Sequence, residues 1–187
     1  MRTAVLTATV ALAIASPSFS AAQTAQPPAK RPQQEMKGAA AKQASDQTFV
    51  MKAAKGGMAE VELGKLAQEK GASDQVKNFG KRMVDDHSKA NEELQALAPK
   101  KNITLTADLD PKDKALKDRL SKLSGPAFDR AYMSAMLQDH RKDIAEFHAE
   151  AARGQDPDVK AFAAKTLPTL EEHLRLAKQL NKSSKED

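Results

Sequence analysis

Histidines are the residues of this chain whose type and spacing best suit metal binding. The chain contains four of them, His87, His140, His148 and His173. In three cases apolar residues recur at spacings of three and four around the histidine, which predicts that His87, His140 and His173 face inward from helices. His148 lies in line with Arg141, on an outer face. The three inward imidazoles are nitrogen ligands that suit zinc, iron and copper.

Glu60 is a fourth inward group, on the first long helix, which has no histidine. Its line along that helix includes the small residues Gly57 and Gly64, which leave room for a long side chain. Glu62 is rotated away from this line. Each long helix therefore offers one inward titratable group, which predicts a site for one zinc, iron or copper ion. The predicted ligands are Glu60, His87, His140 and His173.

A metal-free arrangement of the same residues stays open at this point. Burying a polar side chain is costly unless it has a partner, and these four groups can partner one another in a hydrogen-bond network. The sequence does not define their heights along the bundle. A binding protein, a structural or interaction bundle and, third, a redox enzyme are compatible with these residues, and no catalytic residue is predicted.

An ordinary di-iron centre is disfavoured by the residues that precede the histidines. Such centres in four-helix bundles use a Glu-x-x-His motif on two helices. Here Val84, Leu137 and Leu170 occupy the position three before each inward histidine. The motif occurs nowhere in the chain.

Capping residues, glycines and prolines divide the chain after residue 44 into helices. Ala, Leu, Lys, Glu and Gln dominate, and runs of β-branched residues are absent. Asp-Pro pairs are typical of an N-cap followed by proline in the first turn. We expect helices from Ser45 or Asp46 to about Lys70, Ser73 or Asp74 to about Ala98, Asp110 to about Leu123, Ser124 to about Gly154, and Asp156 to about Lys182. This order predicts an all-α fold, a ferritin-like four-helix bundle with an extra short helix in the middle crossover.

An internal repeat relates the two halves of this region at a constant offset of 83 positions. The matched residues include caps, turn glycines and apolar positions without a gap. They are Asp46 and Asp129, Phe49 and Tyr132, Gly71 and Gly154, Val76 and Val159, and Phe79 and Phe162. The repeat indicates two duplicated helical hairpins.

The first 44 residues are expected to lie outside the bundle. Arg2, the apolar run 4–15 and small residues near position 22 have the order of a cleavable Sec-type signal peptide, too short to span a bilayer. Residues 23–44 are rich in Gln, Pro, Ala and Lys, which predicts a flexible tether. We therefore expect a signal peptide over 1–22, a tether over 23–44, a bundle over 45–182 and a disordered tail over 183–187. The mature protein is expected in the periplasm or outside the cell, without a transmembrane anchor, and without disulfides because the chain has no Cys.

The charge pattern argues against nucleic acid as a partner. The chain has 30 Lys and Arg against 25 Asp and Glu, and these are interspersed, with few aromatic residues. Nucleic-acid binding is typically accompanied by clustered positive charge or stacking aromatics. Protein partners are not indicated by any motif.

Several stretches together resemble an exported bacterial family called domain of unknown function 4142, placed in the ferritin-like superfamily. These stretches are 59–67 (AEVELGKLA), 83–87 (MVDDH), 124–133 (SGPAFDRAYM), 139–140 (DH) and 166–173 (TLPTLEEH). The resemblance implies a ferritin-like bundle, an envelope location, and Glu60, His87, His140 and His173 as characteristic polar positions. It implies no activity.

Overall fold

Five α-helices form most of the described chain. The protein is represented by a computed structural model that describes the backbone of residues 32–186 and the side chains of residues 45–184. The helices are α1 (Pro32–Lys70), α2 (Asp74–Leu97), α3 (Pro111–Ser121), α4 (Gly125–Arg153) and α5 (Pro157–Glu186), with a 3₁₀ turn at Ala98–Lys101. The all-α class is confirmed. None of the described helices combines the length and the apolar character that crossing a membrane requires.

Most helices begin at the predicted capping signals. The Ser73 hydroxyl accepts a hydrogen bond from the Val76 N–H at 3.2 Å, and α2 follows it. Asp156 accepts from the Val159 N–H at 3.2 Å at the start of α5. These starts are readable from sequence because a cap acts on donors only two or three residues away.

The first helix begins earlier than predicted, at Pro32 rather than at Ser45 or Asp46. Residues 32–44 of the predicted tether therefore have helical backbone, whereas residues 1–31, with the predicted signal peptide, lie outside the described residues. At the other end α5 continues to Glu186, beyond the predicted end near Lys182. The mobility of the tether and of the tail stays a prediction.

Asp46 is not a cap of its own helix. It is 4% exposed, and its Oδ2 accepts hydrogen bonds from the backbone N–H groups of Gln155 at 3.0 Å and Asp156 at 2.7 Å. It thereby holds the turn between α4 and α5.

Asp129 makes the corresponding contacts in the other half. Its carboxylate accepts from the N–H groups of Ala72 at 2.9 Å and Ser73 at 3.0 Å, in the turn between α1 and α2. Ala72 and Ser73 lie 83 positions before the two residues that Asp46 binds. Each hairpin therefore supplies the aspartate that holds the other hairpin's turn, as expected for a duplicated unit.

The two hairpins are α1 with α2 and α4 with α5, and α3 lies in the crossover between them. Between hairpins, α1 contacts α4 and α2 contacts α5, while α3 rests on α1 and α4. In the first hairpin the backbones come close at Gly64 and Gly80. A Cβ on either glycine would lie 2.7 Å from the other's carbonyl oxygen, so only glycine fits there.

Two clusters of buried apolar side chains fill the interior at different heights. The first includes Leu63, Met83, Tyr132, Met136 and Ala177. The second includes Phe49, Ala54, Leu94, Phe147 and Leu170.

The inward polar groups lie where these two clusters meet. On each long helix, the polar residue falls between a member of one cluster and a member of the other. The sets are Ala54, Glu60 and Leu63 on α1, Met83, His87 and Leu94 on α2, Met136, His140 and Phe147 on α4, and Leu170, His173 and Ala177 on α5. The packing therefore brings these groups to a similar height.

Candidate metal centre

Three histidines from three helices meet in the bundle interior. One ring nitrogen from each of His87, His140 and His173 lies within 4.8 Å of the others. The ring centroids are 5.3–5.9 Å apart. His140 and His173 are fully buried and His87 is 8% exposed. Such a group can hold a metal ion through three nitrogen ligands.

His140 is oriented by its own helix. Its Nδ1 lies 3.0 Å from the carbonyl oxygen of Met136, one turn earlier on α4. Because a carbonyl only accepts, Nδ1 carries the proton and donates it. The neutral ring then has an unprotonated Nε2, which points toward His173.

His173 is oriented by a carboxylate on a different helix. Its Nε2 lies 3.0 Å from Asp86 Oδ2, and the carboxylate accepts the Nε2 proton. This leaves Nδ1 of the neutral ring with a lone pair. That nitrogen lies 3.3 Å from His140 Nε2. Two unprotonated nitrogens therefore face each other, an arrangement that calls for a cation between them.

His87 is the least anchored of the three. Its Nε2 is buried and has no hydrogen-bond partner among the described residues. A buried polar atom without a partner is costly and rare, and it commonly marks the position of an ion or a water. The site thus contains two facing lone pairs without a donor and a third buried ring nitrogen without a partner among the described residues.

Burial keeps all three rings neutral. It lowers the pKa of His87 well below the usual range, and His140 and then His173 lower it further. It lowers the pKa of His140 to about 3, assisted by His173. The pKa of His173 is also lowered by burial, against the opposing effect of Asp86. Neutral imidazole is the form that binds metals.

The distance between the two facing nitrogens fits a shared ion. Zinc–nitrogen bonds of about 2.0–2.1 Å at a tetrahedral angle would separate two ligand nitrogens by roughly 3.3–3.4 Å. The observed separation of His140 Nε2 and His173 Nδ1 is 3.3 Å. These two rings therefore need little movement to share an ion, and His87 supplies the third nitrogen.

Glu60 lies on the other side of His140. Its Oε1 is 3.8 Å from His140 Nδ1, the nitrogen that donates to Met136, and its Oε2 has no hydrogen-bond partner within the described part of the chain. Burial raises the pKa of Glu60 well above its usual range. Nearby Asp143, Asp139 and Asp113 raise it further. Glu60 therefore lies beside Nδ1 of His140, on the side of the ring opposite to His173. Its role as a direct metal ligand stays a prediction.

His148 is at the surface, as its outer line indicates. Its side chain is 60% exposed and its Nε2 lies 3.4 Å from Glu171. It shares α4 with His140 and provides a matched control for experiments on that residue.

Sequence reasoning missed the groups that orient the histidine rings. Asp86 directly precedes His87 in the sequence, and nothing in its spacing assigns it to His173 on another helix. The Met136 carbonyl carries no sequence signal at all. Asn91 follows His87 by one turn, is 8% exposed, and has a buried Oδ1 without a partner among the described residues. Its spacing of four from His87 places Asn91 on the same helix face, which was the sequence signal that could have identified it.

A cavity of about 160 Å³ adjoins His87. Glu60, His87 and Asn91 contribute the polar part of its buried wall, and Phe147 and Leu170 are among its apolar wall residues. Its lining also includes buried Asp113 and the more exposed residues Lys112, Asp139, Lys142 and Asp143. Sequence patterns did not indicate this cavity.

The sequence of this chain matches a known family over most of its length. The model of the family described as domain of unknown function (DUF4142) matches residues 31–180. The chain belongs to the DUF4142 family. The resemblance inferred from the motifs is thereby confirmed, and the site of this DUF4142 protein lies within the matched region.

A solved structure shares the fold of this DUF4142 protein. It is described as the crystal structure of a DUF305 fragment from Deinococcus radiodurans. The similarity has a TM-score of 0.66 at 14% sequence identity and covers 74% of this chain and 96% of that chain. At this identity the likeness concerns the helical fold alone. None of the curated proteins matches the chain in sequence.

Proposed function

We propose that this DUF4142 protein binds one transition metal ion through His87, His140 and His173. The observation that carries the proposal is the pair of facing nitrogens, His140 Nε2 and His173 Nδ1, 3.3 Å apart with their other nitrogens engaged elsewhere. Imidazole ligands suit zinc, copper and iron. A tetrahedral ion held by three protein nitrogens retains a fourth position for water or another ligand.

The surroundings of the ligands support this function. Metal-binding histidines commonly donate their second ring N–H to a carboxylate or a backbone carbonyl, which orients the ring. His173 donates to Asp86 and His140 donates to the Met136 carbonyl. Both kinds of orienting hydrogen bond thus occur around the same pair of rings. Glu60 adds a carboxyl group beside His140 Nδ1.

A metal-free hydrogen-bond network is the second candidate. It is favoured by the continuous chain of contacts from Met136 through His140 and His173 to Asp86. A proton placed between the two rings would satisfy their nitrogens. However, burial lowers the pKa of both rings, and one proton would leave His87 Nε2 without a partner. A metal ion satisfies all three nitrogens, so we favour metal binding.

A role in holding metal outside the cytoplasm follows if the chain is exported. The signal predicted over residues 1–22 supports an envelope location, where a bound ion can be buffered or kept from damaging reactions. Intact-mass measurement on the fractionated protein tests this part, with a mature N-terminus expected near Ala21 to Gln23. A chain that still starts at Met1 in the cytoplasm would refute it.

Metal binding is tested with the apoprotein, zinc and cobalt. We expect one ion per chain and, at zinc concentrations about 100-fold above Kd, a stabilisation of about 2.7 kcal/mol. His140→Ala and His173→Ala should abolish the stabilisation, whereas His148→Ala should retain it. Asp86→Asn should weaken binding by about 10–100-fold through loss of ring orientation. Calorimetry, melting curves and the visible spectrum of the cobalt form provide the readouts.

Two results would refute metal binding. One is a wild-type melting temperature that is the same with chelator and with zinc or cobalt, which favours the metal-free network. The other is stabilisation that survives both His140→Ala and His173→Ala. Because burial lowers the pKa of all three rings, that of His140 to about 3, protons should compete for the same lone pairs, and affinity should fall, only when the pH is well below 6.

A further inference from the structure

The cavity beside His87 occupies the place that corresponds to the histidine cluster in the duplicated fold. At the offset of 83 positions, His140 corresponds to Gly57, His173 to Ala90 and His87 to Leu170. All three counterparts line the cavity. Two imidazoles are thus replaced by a hydrogen and a methyl group, and the missing volume accounts for the space.

The walls of the cavity have the opposite charge to the protein as a whole. Six carboxyl residues line it, against three lysines. The acidic residues are Glu60, Asp110, Asp113, Asp139, Asp143 and Glu146, and the lysines are Lys52, Lys112 and Lys142. The chain has a formal net charge of +5. An acidic concavity with low-dielectric walls concentrates cations and raises their rate of association.

The buried end of the cavity presents polar atoms that lack partners. Glu60 Oε2, His87 Nε2 and Asn91 Oδ1 are buried and make no hydrogen bond to any described residue, and all three residues line the cavity. Their side chains are more than nine-tenths buried. These atoms can replace waters that an arriving cation gives up. The cavity volume of about 160 Å³ also exceeds the roughly 10–15 Å³ that a single water needs.

His87 is the one member of the histidine cluster that lines this cavity. His140 and His173 are held by Met136 and Asp86, whereas His87 Nε2 has no partner in residues 45–184. The least restrained ligand therefore stands between the cavity and the two oriented rings. That arrangement allows His87 to contact an ion from the cavity side and to bring it toward the other nitrogens.

We propose that this cavity is the entrance by which a divalent transition-metal cation reaches the three histidines, with His87 as the first of them to bind it. The inference rests on the proposed metal-binding function and deepens it. The acidic wall attracts the hydrated ion, Glu60 and Asn91 supply oxygen ligands during loss of water, and the histidines retain the ion.

The charge of the entrance is tested by stopped-flow measurement of zinc association with the apoprotein. The double variant Asp113→Asn with Asp143→Asn removes two cavity charges without removing a proposed ligand. At low ionic strength we expect its association rate constant to fall about tenfold and to depend less on salt than that of the wild type. Asp118→Asn, on the same helix as Asp113 but exposed and outside the cavity wall, should match the wild type.

The route itself is tested by a steric block. A Cβ on Gly56 would meet no atom within 4 Å, and Gly56 lines the cavity, so Gly56→Leu can be accommodated and extends into open space. A blocked route slows association and dissociation of zinc by the same factor and leaves Kd unchanged. Ala115→Leu, at an exposed position of α3 outside the cavity wall, is the control.

The outcomes separate this inference from the proposed function. Zinc binding by the wild type, with association slowed in the double variant and in Gly56→Leu, supports the entrance. Zinc binding with wild-type association rates in both would overturn the entrance and leave the histidine site standing. No zinc binding by the wild type would overturn both.

Discussion

Two corresponding parts of the duplicated bundle have opposite contents. Where α4 and α5 contribute His140 and His173, the interior is filled by imidazole rings whose facing nitrogens have no donor within residues 45–184. Where α1 and α2 contribute the counterparts Gly57 and Ala90, the interior is a cavity with an acidic wall. The duplicated turns are held by the same aspartate contacts in both halves. The repeat therefore preserves the frame of the bundle, while a few interior side chains fill one half with imidazole rings and leave a cavity in the other.

The largest change in unfolding free energy is expected for Leu170 in the apolar cavity wall, and it should exceed that for His87, the corresponding residue of the other half. Leu170 is 2% exposed, and Leu170→Ala should destabilise the metal-free protein by about 3 kcal/mol, because it removes buried methyl groups and enlarges a cavity. His87→Ala should cost less than about 1 kcal/mol, because it also removes a buried nitrogen that no described residue pairs with. Urea unfolding at pH 7 with chelator measures both. An equal cost for the two variants would indicate that His87 is fully paired in solution.

An intermediate effect tests the equivalence of the two turns. Asp46→Ala and Asp129→Ala each remove a carboxylate that accepts two backbone N–H groups, so each should cost about 2 kcal/mol. Denaturant unfolding at pH 6 measures both, with Asp118→Ala as an exposed control. If one variant costs several times more than the other, the turns are not energetically equivalent despite their shared contacts.

The smallest expected effect is a pH-dependent change in stability at Glu150, which only one of the two turns contains. Glu150 lies beside Asp46, whereas its counterpart at the other turn is Ala67. Burial, and then Asp46, raise the pKa of Glu150 to about 7. In the unfolded chain this pKa returns toward 4.5. The stability that protonated Glu150 contributes is therefore fully present below about pH 4.5, and it is lost as the pH rises through 7.

Glu150→Gln keeps the shape of the side chain and removes the ionisation. We therefore expect the variant to be more stable than the wild type by about 1 kcal/mol at pH 9, with little difference at pH 5. Paired melting curves at the two pH values check this. A difference of the same size at both would show that Glu150 does not titrate with folding.

Most helix starts and the inward or outward direction of each histidine follow from local sequence patterns. Ser73 and Asp156 act on donors within three residues, and the inward direction of His87, His140 and His173 follows from the helical period along each segment. Both properties are local, so no partner helix is needed to infer them. The early start of α1 at Pro32 was missed because residues 32–44 carry few large apolar residues, and hydrophobic periodicity is therefore uninformative there.

Helix packing determines which histidine nitrogens face each other and which groups hold the opposite ring nitrogens. Helical period defines the angle of a side chain around its axis, whereas the distance between helices and their relative height depend on packing. The contact of Asp86 with His173 joins residues 87 positions apart. The 3.3 Å between His140 Nε2 and His173 Nδ1 depends on the distance between α4 and α5. The same packing places Glu60 behind His140 rather than among the three nitrogens, because α1 approaches that ring from its Nδ1 side.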